Sequence, residues 1–182
     1  MVEYLTLLKE RPDNVINKAI KETIADAEVL WSPIEFEGYY PRGSGFGIAP
    51  LRPKDLGITG TTDRWEVTIS SVSSATTYID HTLDEDVYVV LEGIQDLTSF
   101  YTANKPVITA FQITASGDKL PVINLTEAFA NDENIRRYYF KEPLIIKPKS
   151  GIKVDVYAPS TGTDYFGFIG TTVAKRAYLI QY

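Results

Sequence analysis

Cysteine is absent from this 182-residue sequence, and histidine occurs once. The first absence excludes disulfides, thiolate metal sites and cysteine nucleophiles. The second leaves His81 as the sole residue on which a histidine-dependent general base or a Ser-His-Asp arrangement can be built. An excess of basic charge is also missing: 18 Lys and Arg stand against 24 Asp and Glu, a net charge of -6. That balance disfavours coating nucleic acid by phosphate neutralisation. Long apolar runs are missing too. The stretch Val87 to Leu91 falls far short of the roughly 20 residues a membrane helix needs, so no span is expected. The opening "MVEYLTLLKERP" carries Glu3 where a secretory leader is basic and lacks a small-residue cleavage pattern, so it reads as mature protein.

What is present is first of all an uneven distribution of charge. Residues 1–134 hold 10 basic and 21 acidic side chains, whereas residues 135–182 hold 8 and 3. Segments of opposite sign attract, either within one chain or between copies.

In "DNVINKAIKETIADAEVLW", Ile16, Ile20, Ile24, Ala27 and Trp31 recur at helical spacing and predict a helix over about 14–31. Asp13 suits its N-cap and Ser32, before Pro33, its stop. Two placements fit this stripe. It packs on its own domain, or it forms an arm that docks on a neighbour. The following segment, rich in Pro, Gly and aromatics through Asp63, sustains neither period and reads as a connector, with Tyr39 and Tyr40 pinning it to a surface. Its "GSGFG" at 43–47 lacks the strand before and helix after that a phosphate-cradling loop needs.

From Arg64 onward the period is two. In "RWEVTISSV", Trp65, Val67 and Ile69 share one face and Glu66, Thr68 and Ser70 the other. Similar runs follow at "TTYIDHTL", "VYVVLEG", "PVITAFQITA" and "PVINL"; after a short helical insertion at 126–134 come "IRRYYF", "PLIIK", "IKVDVYA", "YFGFIG" and "RAYLIQY". "KPKSG", with Pro148 preset for a turn and Gly151 at its exit, predicts a hairpin between "PLIIK" and "IKVDVYA". Gly167, between Phe166 and Phe168, leaves room for a bulky ring. Such spacing indicates an all-β antiparallel sandwich or barrel of about eight strands.

The stretch "EPLIIKPKSGIKVDVYAPSTGTDYFGFIGTTVAKRAYLI" resembles the C-terminal layout of single jelly-roll structural proteins of viruses and bacteriophages, of the capsid or head-decoration type. The resemblance implies a jelly roll over residues 61–182, preceded by a helix and extended arm over residues 1–60 that grips neighbouring capsid subunits. It further implies a virion protein made in the host cytoplasm, with copies of itself and other capsid proteins as partners. Residues 1–30 hold Lys9, Arg11, Lys18 and Lys21 against six acids, which favours an arm that binds protein over one that faces a genome.

Chemistry is sparse. A lone strand histidine such as His81 is more often packing than catalysis. Asp80, Asp84, Glu85 and Asp86 have oxygen ligands for a hard cation but not the spacing of a calcium loop, and read as a solvated acidic run. No catalytic residue, metal ligand or cofactor is therefore assigned, and the chain is read as a non-enzyme. The interface residues expected are Ile16, Ile20, Ile24 and Trp31 on the helix, Tyr39 and Tyr40 on the connector, and Arg136, Arg137 and Tyr139, since Tyr and Arg dominate binding hot spots. The competing reading is a carbohydrate- or receptor-binding module that stacks sugars on outward rings among Tyr39, Tyr40, Tyr101, Tyr138 and Tyr139.

Overall fold

A computed structural model describes residues 6–31, 45–59, 63–72, 74–102, 106–126, 128 and 136–180. Among them are twelve strands: β1 Leu7–Leu8, β2 Phe46–Pro50, β3 Val67–Ile69, β4 Thr76–Thr82, β5 Val87–Asp96, β6 Ala110–Ala115, β7 Asp118–Lys119, β8 Ile123–Asn124, β9 Arg137–Ile146, β10 Gly151–Tyr157, β11 Gly162–Asp164 and β12 Phe166–Lys175. Helices are α1 Asp13–Trp31, α2 Thr98–Tyr101 and α3 Arg176–Ile180, with a 3-10 turn at Pro53–Leu56. The expected number of strands, about eight, is exceeded because several pieces of two or three residues pair at the sheet margins.

All strand pairs among the described residues are antiparallel, and five of them are nested: β2 pairs with β12, β3 with β11, β4 with β10, β5 with β9 and β6 with β8. The chain behaves as one long hairpin folded over on itself. The result is a five-stranded sheet, β1-β9-β5-β12-β2, and a second sheet, β4-β10-β6 with β7 and β8 on the far side of β6. Alternate residues meet between the sheets. Ile152, Val154 and Val156 of β10 lie at 1% exposure or less against Phe111, Phe166 and Phe168, as the period-two pattern required. Each such side chain contributes about 1.5–3 kcal/mol by leaving water. At Gly167 a Cβ would stand 2.9 Å from the ring of Trp65, so the space expected there holds an indole.

Four expectations are corrected. "KPKSG" does not close a hairpin, because β9 and β10 lie in different sheets and the turn carries the chain across the core. The Ser150 amide donates to Lys147 O at 3.1 Å, the left-handed position is Lys149, φ +61°, and Gly151 begins β10. The two runs expected on either side of Lys141 join in one strand, β9 over Arg137–Ile146, whose register against β5 slips between Leu144↔Leu91 and Tyr139↔Gly93. Pro143 sits in that slip, where its missing N–H breaks no rung. The last expected strand is instead α3: the ladder with β2 ends at Lys175↔Phe46, and a helical turn brings Tyr178 and Leu179 back onto the core. The connector contains a strand, β2, on the edge of the first sheet.

The larger correction concerns residues 1–60. Their described parts are not a separate arm: β1 extends the first sheet beyond β9, β2 extends it beyond β12, and α1 packs across β9, β5 and β12. The buried side chains of α1 are Ile16, Ala19, Thr23, Ala27 and Trp31, so the contact stripe is rotated from the one expected, and Ile20 and Ile24 flank it half-buried. Small residues at the centre let the helix axis approach the sheet closely. Thr23 hides its hydroxyl by donating to Ala19 O at 2.8 Å. Ala27 and Trp31 meet Tyr88 and Val173 on the outer face of the sheet.

Candidate functional site

Four buried carboxylates mark where the fold concentrates polar chemistry. Glu92, in the middle of an apolar strand and 3% exposed, accepts from Arg11 Nη2 at 2.9 Å, Arg11 Nε at 3.1 Å and Thr171 Oγ1 at 2.7 Å. Burial alone would lower the Arg11 pKa, but hydrogen bonds to Glu92 and Asp13 outweigh it and hold the guanidinium above its ordinary value. Asp55, 1% exposed, accepts from the Arg52 amide and side chain, from Thr172 Oγ1 at 3.0 Å and from Tyr178 Oη at 3.1 Å. Burial, then the Asp55 charge, pushes the Tyr178 phenol well up.

The other two act together. Asp164 accepts from the amides of Val107, Ile108 and Tyr165, each at 2.8 Å, and from the hydroxyl of Thr98. Asp96 accepts from the Thr98 amide at 2.9 Å and from Arg136 Nη1 at 2.6 Å. Thr98, fully buried, is thus gripped by both, and α2 is fixed to the end of the sandwich. Among the described residues no buried side-chain N or O lacks a partner. These carboxylates hold shape.

The acidic run after β4 is engaged by lysines of the basic C-terminal segment: Glu85 with Lys149 at 3.0 Å and Asp86 with Lys175 at 2.8 Å. Asp26 with Lys147 and Asp96 with Arg136 complete a set of pairs joining the two oppositely charged segments within one chain. His81 is half-buried, opposite Ile152 in the ladder, with its ring against the backbone of Gly57.

Of the expected interface residues, Ile16 and Trp31 are covered by the chain's own sheet and Ile20 and Ile24 border that contact. Their place on a free arm is corrected: the apolar stripe of α1 packs on the chain's own sheet. Tyr39 and Tyr40 lie outside the described residues. Arg136 is tied to Asp96, Arg137 is exposed, and Tyr139 is half-buried between β1 and β5. Among the other rings, Tyr138 is 3% exposed and Tyr101 40%.

Two surface features stand out among the described residues, one at each end of β5. Before its first residue a cleft of about 480 Å³ opens between the end of α1 and the turns that precede β5 and β10, lined by Leu30, Trp31, Tyr88, Pro148 and charged side chains including Glu85, Asp86, Lys147, Lys149 and Lys175. Its back wall is aromatic, with Trp31 edge-on to Tyr88 at 5.5 Å and Lys175 5.9 Å from the Trp31 ring. Beyond the last residue of β5, α2 presents Phe100, 79% exposed, edge-on to Tyr101 at 5.0 Å. Tyr101 is flanked by Tyr165 at 4.7 Å and by the Arg64 guanidinium at 5.0 Å. Sequence reasoning named Tyr101 but missed Phe100, Arg64 and the cleft. A signal was present in "LTSFY", where two adjacent aromatics follow a capable turn residue, and in Glu92, a charge inside an otherwise apolar strand. The sequence matches no protein-family model and no curated protein.

Proposed function

We propose that this chain is a virion structural protein, a jelly-roll subunit that associates with copies of itself and with neighbouring capsid proteins. The observation that carries this reading is the nested pairing of β2·β12, β4·β10, β5·β9 and β6·β8. A hairpin of eight strands wrapped into two sheets supports the jelly-roll reading, an architecture found in viral capsid and lectin domains. Fold alone does not choose among functions. The choice is supported by the buried carboxylates, each absorbed in fixing loops and strand ends, and by the resemblance of residues 142–180 to virion proteins. Contacts with neighbours then come from the folded body, with α1 as part of it, rather than from a free arm. The test is density-gradient sedimentation of particles from cells that make the protein: co-migration with particles, resistant to salt washing, is expected, and its recovery only in the particle-free fractions would overturn the reading.

The second reading, a carbohydrate- or receptor-binding module, is favoured by the rigidly held rings of Phe100 and Tyr101. A glycan array with the purified chain tests it. Saturable binding lost in Tyr101→Ala would support it, and an empty array would remove it.

A further inference from the structure

We propose that copies of this chain join head to tail, the Phe100 ring of one seating in the cleft of the next between Leu30, Trp31 and Tyr88. The proposal rests on the assembly reading above and names its contact. Phe100 is the most exposed large apolar side chain among the described residues. It is not carried on a loose loop: Thr98, two residues before it, is held by both Asp96 and Asp164, so little backbone ordering remains to be lost on binding. Both flanks of Tyr101 are taken by Arg64 and Tyr165, whereas Phe100, without a polar handle, stays 79% exposed beside Tyr101 among the described residues. Such a ring suits a protein cleft better than a sugar.

The receiving surface is on the same molecule. A cavity of about 150 Å³ suffices for a benzene ring, and the cleft offers about 480 Å³ with Leu30 at its lip, 52% exposed. Both signs stand on both surfaces: Arg64, with Asp63 and Glu66 near it in sequence, would meet a rim that carries three lysines, Lys147, Lys149 and Lys175, against Glu85 and Asp86. The Glu85–Lys149 pair is about 70% exposed on both sides, so exchanging partners across a contact costs little. Direction follows from the strand. The cleft adjoins the start of β5 and the ring lies past its end, about 33 Å apart for ten residues of strand. A knob and a hole at opposite ends make a heterologous contact, which repeats into a row or closes into a ring.

Sedimentation velocity on the full chain tests this with two variants at exposed positions, Phe100→Asp and Leu30→Arg, each first shown to melt like the parent. The parent should grow beyond a dimer with concentration, and each variant alone should self-associate about thirtyfold or more weakly, as loss of an interface anchor implies. Mixed in equal amounts, the variants should form a one-to-one pair that grows no further, because one supplies an intact cleft and the other an intact ring. Phe100→Ser and Leu30→Ser serve as uncharged counterparts. Variants that assemble like the parent, or a mixture that stays monomeric, would overturn the contact while leaving assembly standing. A parent that is monomeric at every concentration would overturn both, and glycan binding by such a monomer, lost in Phe100→Asp, would give the ring to a saccharide instead.

Discussion

Asp164→Ala removes the acceptor on which the end of the sandwich converges. Its carboxylate takes three amide hydrogens, from Val107, Ile108 and Tyr165, and the Thr98 hydroxyl, at a site 1% exposed. Alanine leaves these donors facing a void. The Thr98 hydroxyl can rotate to another partner, and water can reach part of the site, so two fully orphaned amides is the conservative count. At about 1–3 kcal/mol for each buried unsatisfied donor, the loss is about 4 kcal/mol. For a domain of this size that corresponds to a fall in Tm of about 8–16 °C. Urea unfolding followed by tryptophan fluorescence reads it directly, with Thr163→Ala, at an exposed position in the same strand, as the control. A loss below about 1 kcal/mol would refute the claim that Asp164 holds this end together. The same change should weaken self-association, because α2 carries Phe100.

Gly167→Ala sets a methyl 2.9 Å from the buried Trp65 ring, and should lower the urea midpoint by an amount equivalent to about 1–3 kcal/mol. Arg11→Met leaves the nearly buried Glu92 carboxylate without its cation; because Arg11 is itself one-third exposed and Thr171 still donates, about 1–3 kcal/mol is expected, again from urea midpoints. Burial raises the phenol pKa of Tyr78 and Tyr178 in the fold. A raised folded pKa means the fold binds the proton more tightly, so the stability this confers is intact below the unfolded value near 10 and declines as pH rises beyond it. The slope of stability between pH 10 and 11 should be shallower in Tyr78→Phe/Tyr178→Phe than in the parent. Deleting residues 1–31 uncovers Tyr88 and Val173, so the truncated chain should bind a hydrophobic dye or aggregate; a soluble product with native near-ultraviolet dichroism would contradict the packing of α1.

Legibility in the sequence followed the range of the forces involved. The period-two strands β3 and β10, and α1 with its Asp13 start, were readable because burial imprints itself on neighbouring residues. Failures came where a distant partner decides. Pro143 looked like a strand boundary because nothing local reveals the slip against β5 that accommodates it. "RAYLI" has strand composition but turns helical where its ladder partner β2 runs out. The turn at Lys147–Ser150 was recognised, yet whether it joins strands in one sheet or across two depends on β4 and β5, some 60 residues away. The stripe of α1 was visible, but its target was not, since an apolar face has the same signature whether it covers its own sheet or another subunit. The clasp of Asp164 left no pattern, because three of its four donors are backbone amides, which every residue except proline has, and those of Asp55 and Asp96 draw on side chains distant in the chain, such as Thr172, Tyr178 and Arg136.

Native mass spectrometry of the purified full chain addresses the central claim most directly, that this is a folded body built to join copies of itself end to end. A ladder of species at successive multiples of 20.4 kDa, collapsing to the single mass in Phe100→Asp, is the expected result. A lone 20.4 kDa species at every concentration of the parent would contradict it.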